Sequence, residues 1–221
     1  MLILENWIDL ARLRPRPRTT WRTEVGLGAE DFVCLYAGTM GYASGVDVLV
    51  EVAERLSGHS DVRLVCVGAG VLRERMEHQV QAKGLKNLLL LPFQPPERIA
   101  EFHSAADVAL LTTAPGVGSS SVPSKLITYL ATGRPVVCSA APSSDMARLV
   151  AQEQVGEVVQ PGAPDALAAA ILKLQALSKA EREALGRRAR EVAERRFSLQ
   201  AALRRFERLF EDLQPPRAPP P

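Results

Sequence analysis

The stretch Phe32-Val-Cys-Leu-Tyr-Ala37, closed by Gly38-Thr39-Met40-Gly41, decides the fold. An almost continuously apolar run stopped by glycine reads as a strand buried on both faces, because a half-exposed strand would alternate polar and apolar positions. The same unit recurs down the chain. Val62-Arg-Leu-Val-Cys-Val67, Leu88-Leu-Leu-Leu91, Val108-Ala-Leu-Leu111 and Pro135-Val-Val-Cys138 are short apolar runs, and a weaker one, Gly156-Glu-Val-Val159, ends at Gln160-Pro-Gly162. Helix-length amphipathic segments at about 45 to 57, 70 to 83, 96 to 105, 122 to 132 and 142 to 152 lie between them. This alternation predicts an α/β protein built on one doubly wound parallel sheet of about six strands, with helices on both faces.

The composition fits that class and names no partner. The 221 residues are 47% hydrophobic and 24% charged, and 27 basic residues against 25 acidic ones leave a net charge of +2, too weak a field to draw nucleic acid. The arginines between 187 and 208 are interleaved with Glu191, Glu194 and Glu207, so no nucleic-acid partner is expected. Cys34, Cys66 and Cys138 each sit inside an apolar run, where a thiol behaves as a small hydrophobe. An odd cysteine count without a signal peptide fits a reducing cytoplasm, and no run approaches the roughly 18 apolar residues of a membrane span.

The chain divides into four parts. Residues 1–24 read as the end of a missing N-terminal domain followed by an interdomain linker: Met1 to Leu4 look like the tail of an apolar strand, and Arg12-Leu-Arg-Pro-Arg-Pro-Arg18 is too rich in proline for regular structure. Residues 25–197 form the Rossmann-like domain, 198–213 a last helix, and 214–221 a proline-rich tail. On the last helix Leu199, Leu203, Phe206, Leu209, Phe210 and Leu213 recur at helical spacing, a stripe that needs burial on this domain's own sheet, on an absent domain, or against a second copy.

In an open parallel sheet ligands bind outside the carboxyl ends of the strands, so the loops after each apolar run are the candidate site. Gly38, Thr39 and Gly41 follow the first strand, where missing side chains let backbone approach a phosphate. Gly68 and Gly70 follow the second; Arg73 stands where a dinucleotide fingerprint needs its third glycine, so no nicotinamide cofactor is expected. Phe93 and Gln94 in a proline-stiffened loop after the third run could flank a nucleotide base. After the fourth come Ser120, Ser121, Ser124 and Lys125, with Thr128 one turn on. A lysine in the first turn of a helix opposes the helix dipole, so an anion such as a diphosphate explains it better than helix formation does. His59, His78 and His103 lie away from the strand ends and read as surface or packing residues; no catalytic base and no metal ligand set stands out.

The order Asn6-Trp-Ile-Asp9, Tyr36-Ala-Gly-Thr-Met-Gly41, Val67-Gly-Ala-Gly70, Ala105-Ala-Asp-Val108 and Pro123-Ser-Lys-Leu-Ile-Thr-Tyr-Leu-Ala-Thr-Gly-Arg-Pro-Val-Val137 resembles the carboxyl-terminal, donor-binding domain of retaining GT-B glycosyltransferases, most closely family 4 of the colanic-acid type. The resemblance implies a hexosyltransferase that takes its sugar from a nucleotide-diphosphate sugar and needs no cofactor. It implies an acceptor-binding domain, on the same chain upstream or on another chain, onto which the last helix crosses, and work in polysaccharide assembly at the inner face of the membrane. By resemblance Gly41 approaches the donor phosphates, Phe93 and Gln94 flank the base, and Lys125 meets the diphosphate. The chain departs from the pattern where the family's two glutamates, eight residues apart, become Ser120 and Thr128, and where its arginine and lysine after the first strand become Thr39 and Ser44. Those losses leave Lys125 to carry most of the neutralisation of a leaving diphosphate. They also permit a non-catalytic Rossmann-like module that binds a nucleotide or a partner protein.

Overall fold

The computed structural model describes residues 5–17, 20–117 and 121–213. Six parallel strands, β1 (Phe32–Ala37), β2 (Val62–Val67), β3 (Leu88–Leu91), β4 (Val108–Thr112), β5 (Val136–Ser139) and β6 (Gly156–Val159), stand in the order β3-β2-β1-β4-β5-β6. The helices α1 (Trp21–Glu24), α2 (Val48–Arg55), α3 (Arg73–Ala82), α4 (Ile99–Ala105), α5 (Ser124–Ala131), α6 (Asp145–Gln152), α7 (Pro164–Gln175), α8 (Lys179–Phe197) and α9 (Leu199–Leu213) surround them. The doubly wound sheet expected from the apolar runs is therefore the sheet observed, down to the weak strand β6. Real helices start two or three residues inside their sequence patterns because the preceding residues form the ligand-side turns.

Side-chain alternation explains the two layers. Phe32, Cys34 and Tyr36 point to one face, under α2, α3 and α7; Val33 and Leu35 point to the other, under Trp21 and Phe102. Leu126, Tyr129 and Leu130 of α5 join α6 and α8 over the same second face beside β4 and β5. Burial on both sides is why these runs lack polar positions. The three cysteines are free and buried, and burial raises the Cys66 and Cys138 thiols to about 12, at Cys66 against the opposing pull of Lys125 and Arg73.

The switch point of the sheet lies between β1 and β4, where strand order turns back on itself. Their register is short, Cys34 against Val108 and Leu35 against Ala109, so beyond Leu35 the two strands separate at their carboxyl ends. The amino ends are clamped instead. Arg22 is buried, donates from Nε to the Ala105 carbonyl (2.7 Å) and from Nη1 to the Asp31 carbonyl (2.9 Å), and meets the Asp107 carboxylate at 2.6 Å. The same carboxylate accepts from the Val33 N–H at 2.9 Å. Trp21 and Arg22 lie in the stretch read as linker, yet both belong to the domain's interior, because the partners that bury them, Phe102, Ala105 and Asp107, are some 80 residues away and invisible to local pattern.

Other parts of the terminal readings differ in outcome. Met1 to Leu4 and the tail 214–221 lie outside the described residues. Within 5–17, Ile8 bridges to Ser198 and Pro15 touches the space beside Gly133, so the segment runs along the domain. The stripe on α9 is not tucked under this sheet: Leu199, Leu203, Phe206 and Phe210 are 40 to 63% exposed, with Trp7 exposed as well. Among the residues of α9 whose side chains are described, Ala201 and Ala202 are buried. None of the helices among the described residues is long and apolar enough to cross a membrane.

Candidate functional site

In an open parallel sheet the switch point between β1 and β4 is where a ligand crevice is expected at the carboxyl edge, and a side chain that reaches over the end of β1 there is Lys125. It starts in the first turn of α5, on the second face of the sheet, and reaches the ring of Tyr36, which belongs to the first face; Nζ stands 3.7 Å from the ring centroid. It crosses over Gly38. A Cβ there would lie 2.7 Å from Lys125 Cε and 2.9 Å from Nζ, and Gly38 has φ +143°, so both space and backbone demand glycine. Burial lowers the Lys125 ammonium to about 8.

The loop below that ammonium is held on both sides. Met40 donates to the Ala69 carbonyl (2.8 Å) and accepts from Leu72 N–H (3.0 Å), sewing it to the loop after β2. Thr112 Oγ1 donates to the Ser44 carbonyl (2.7 Å) and Ala114 N–H to the Ala43 carbonyl (3.1 Å), sewing it to the loop after β4. Tyr36 donates from its hydroxyl to the Thr39 carbonyl (2.7 Å), and the Tyr129 hydroxyl accepts from the Ala37 N–H (2.9 Å), replacing the ladder partner that β4 no longer offers. The result is a rigid turn, Gly38 to Gly41, with Thr39 exposed above it.

The expected site residues do not all come together. Gly38 and Lys125 are in direct contact. Gly68 and Gly70 are close by, but their missing side chains make room for protein: a Cβ would fall 2.0 Å from the Gly38 carbonyl oxygen and 2.4 Å from the Met40 oxygen. They bring the two loops together rather than open a gap at their own positions. At Gly41 a Cβ would have Thr39 Cγ2 at 3.8 Å as its nearest neighbour, leaving that position open. Ser124 is exposed at the start of α5, Thr128 Oγ1 donates back to the Ser124 carbonyl (3.0 Å), and Ser121 is exposed. Ser120 lies outside the described residues. Phe93 and Gln94 stand apart on the loop after the edge strand β3; Phe93 is 69% exposed and Gln94 Nε2 donates to the Pro92 carbonyl.

Three residues of this arrangement are not among the expected site residues. Tyr36 and Tyr129 look like ordinary members of apolar runs, distinguished in the sequence only by a hydroxyl at a strand end and in a helix. Arg73, noted as the residue that spoils a dinucleotide fingerprint, donates to the Gly68 (2.9 Å), Leu91 (2.6 Å) and Leu90 (3.0 Å) carbonyls and ties the ends of β2 and β3 together. The histidines take no part. His59 and His78 are exposed, and His103 is buried between the Phe102 and Tyr129 rings, where burial drives it down to about 3 and keeps it neutral. Asp145 and Arg148 pair with each other on α6. Among the described residues no group of three or more metal-ligating side chains is close enough to hold an ion.

Chemically, the site offers an ammonium, a glycine turn and the positive end of the α5 dipole, whose Leu126 and Ile127 N–H groups already donate to the Pro123 carbonyl, a set suited to a multiply charged anion. Since the ammonium titrates near pH 8, affinity for such an anion falls as the pH rises through that value. Uptake of the proton that binding requires makes affinity at pH 9 about tenfold lower than at pH 7. Calorimetric titration with uridine diphosphate, whose own phosphates are already ionised over this range, measures the effect. A flat profile would remove Lys125 from the site.

The family model described as "Glycosyl transferases group 1" matches residues 17–192. The putative colanic acid biosynthesis glycosyl transferase WcaI of Escherichia coli (strain K12) is 27% identical over 210 residues, 93% of this chain and 50% of its own length. A D-inositol 3-phosphate glycosyltransferase of Segniliparus rotundus is 30% identical over 186 residues, 81% of this chain and 40% of its own. The chain thus spans about half the length of the curated relatives it matches. Among solved structures, Anabaena HepE in complex with UDP superposes with a TM-score of 0.80 at 19% identity, covering 94% of this chain and 56% of that one.

Proposed function

The chain belongs to the group 1 glycosyl transferases, and from that premise we propose that it is the donor-binding half of a hexosyltransferase, gripping the diphosphate of a nucleotide-diphosphate sugar in the crevice between β1 and β4. The observation that carries this reading is the Lys125 ammonium lying across Gly38 at the mouth of that crevice. UDP in the HepE structure supports a nucleotide sugar as the donor. As the glycosyl bond breaks, negative charge grows on the departing diphosphate, and a cation already held in a partly desolvated position stabilises it without having to move. Lys125 and the Gly38 to Gly41 turn would do this; Phe93 and Gln94 would set the base at the rim.

The acceptor would come from a second half. The relatives' extra length and the exposed stripe of Leu199, Leu203, Phe206 and Phe210 both support an acceptor-binding domain against which α9 packs, with transfer in the cleft between the two. The colanic-acid relative supports work in polysaccharide assembly; retention, and a place on the cytoplasmic side of a membrane, are part of the proposal on the family resemblance alone. The uncharged Thr128, bonded back into its own helix, favours a second reading, a nucleotide-binding module without catalysis.

Calorimetric titration with UDP and UDP-glucose tests the proposal. Saturable binding of both, with the affinity residing in the diphosphate, is expected. Absence of any nucleotide binding would refute the donor site and leave only a partner-binding role.

A further inference from the structure

The ammonium of Lys125 and the loop that faces it converge on one side chain, and the geometry points to Tyr36 as the positioning residue of the crevice: its ring seats Lys125 and its hydroxyl fixes the Thr39 carbonyl. This inference rests on the diphosphate-site reading above. It goes beyond that reading, since Tyr36 is fully buried and would act through Lys125 and the loop rather than by touching the donor.

The physical case starts from what holds a lysine in place. A carboxylate would hold it firmly but would also neutralise it and compete with an incoming diphosphate; among the described residues no carboxylate lies within 4.0 Å of the Lys125 ammonium. The ring face 3.7 Å away attracts a cation through its quadrupole and leaves the full positive charge for a ligand. The ring itself is immobile. It is packed with Met40, Cys66 and the helices over the first face of the sheet, and its hydroxyl donates to Thr39 at 2.7 Å. That bond fixes the Gly38 to Gly41 turn relative to the same ring, so cation and loop amides are set by one rigid body. Gly38 completes the device, because any side chain there would occupy the path of Lys125 toward Tyr36.

The two functions of Tyr36 separate by substitution. Tyr36→Phe keeps the ring and loses the hydroxyl; Tyr36→Leu loses both. In the unliganded protein the Lys125 side-chain proton resonances lie upfield under the ring current in wild type and Tyr36→Phe, and return to ordinary positions in Tyr36→Leu. Titrations with UDP and uridine, in wild-type and Lys125→Met backgrounds, then read the consequence. The expectation is that Tyr36→Leu weakens UDP about tenfold more than Tyr36→Phe does in the presence of Lys125. In Lys125→Met the two variants bind UDP equally, and uridine affinity is the same for both throughout.

Overturning results are equally definite. Unshifted Lys125 resonances in the wild type would show that the ring does not seat the ammonium. Equal losses of UDP affinity for Leu and Phe with Lys125 present, or a Leu-specific loss that persists in Lys125→Met, would make Tyr36 a packing residue only. A ring-current shift in a protein that binds no nucleotide would instead refute the diphosphate-site reading while leaving the seat of Lys125 standing.

Discussion

Replacing Lys125 with methionine lowers the affinity of this chain for UDP by roughly ten- to a hundredfold while leaving its folding stability unchanged or slightly improved. The size follows from the chemistry of the contact. A charge-assisted interaction with an ionised group contributes about 1.5 to 3 kcal/mol, and each 1.4 kcal/mol is a factor of ten in binding. The sign of the stability change follows from burial: an ammonium driven down to about 8 is held at a cost in the unliganded protein, and methionine, one atom shorter, keeps the apolar stem over Gly38 without that cost. Titration calorimetry gives the first quantity and chemical denaturation the second. Unchanged UDP affinity would mean that the ammonium does not meet the diphosphate.

The largest effect on stability is expected at the opposite end of the same two strands. Arg22→Ala removes a guanidinium that holds the Asp31 and Ala105 carbonyls and pairs with the buried Asp107 carboxylate. Breaking a buried ion pair from one side costs about 3 to 5 kcal/mol, because the remaining charge keeps its desolvation penalty and loses the partner that offset it. For a domain of this size that corresponds to a fall in melting temperature of roughly 6 to 20 °C. The exposed pair Lys83–Glu54, 2.6 Å apart but screened by solvent, serves as the control, with little or no loss of stability expected when it is broken. Equal losses at the two sites would show that Arg22 does not clamp the switch point. Asp107 opens β4 and Arg22 precedes β1, so loosening them also relaxes the strand pair whose far ends form the crevice.

Most of the sheet was legible in the chain because the strands are buried on both faces and so leave uninterrupted apolar runs between amphipathic stretches. Lys125 was legible for a different reason: a cation in the first turn of a helix opposes the dipole and asks for an explanation. What sequence could not convey is anything that depends on contacts across long separations. Gly68 and Gly70 read as donor-binding candidates at the end of the second strand, yet the space they leave is filled by the Gly38 and Met40 carbonyls. Arg22 sat in an apparent linker because its partners are far along the chain. Tyr36 lay hidden in an apolar run, since a ring's value as a cation seat depends on a lysine 89 positions later arriving over a glycine. The stripe on α9 was visible, and its exposure follows from geometry that periodicity does not encode.

The account stands on a donor diphosphate lying at the carboxyl ends of β1 and β4, and amide resonance mapping tests that placement directly. Addition of UDP to the labelled chain should shift the amides of Gly38 to Gly41 and the first turn of α5 most strongly, with smaller changes around Phe93 and none along the amino ends of the strands near Arg22. Shifts confined to the amino ends, or to the outer surface of α8, would put the ligand on the wrong edge of the sheet and contradict the donor-site assignment.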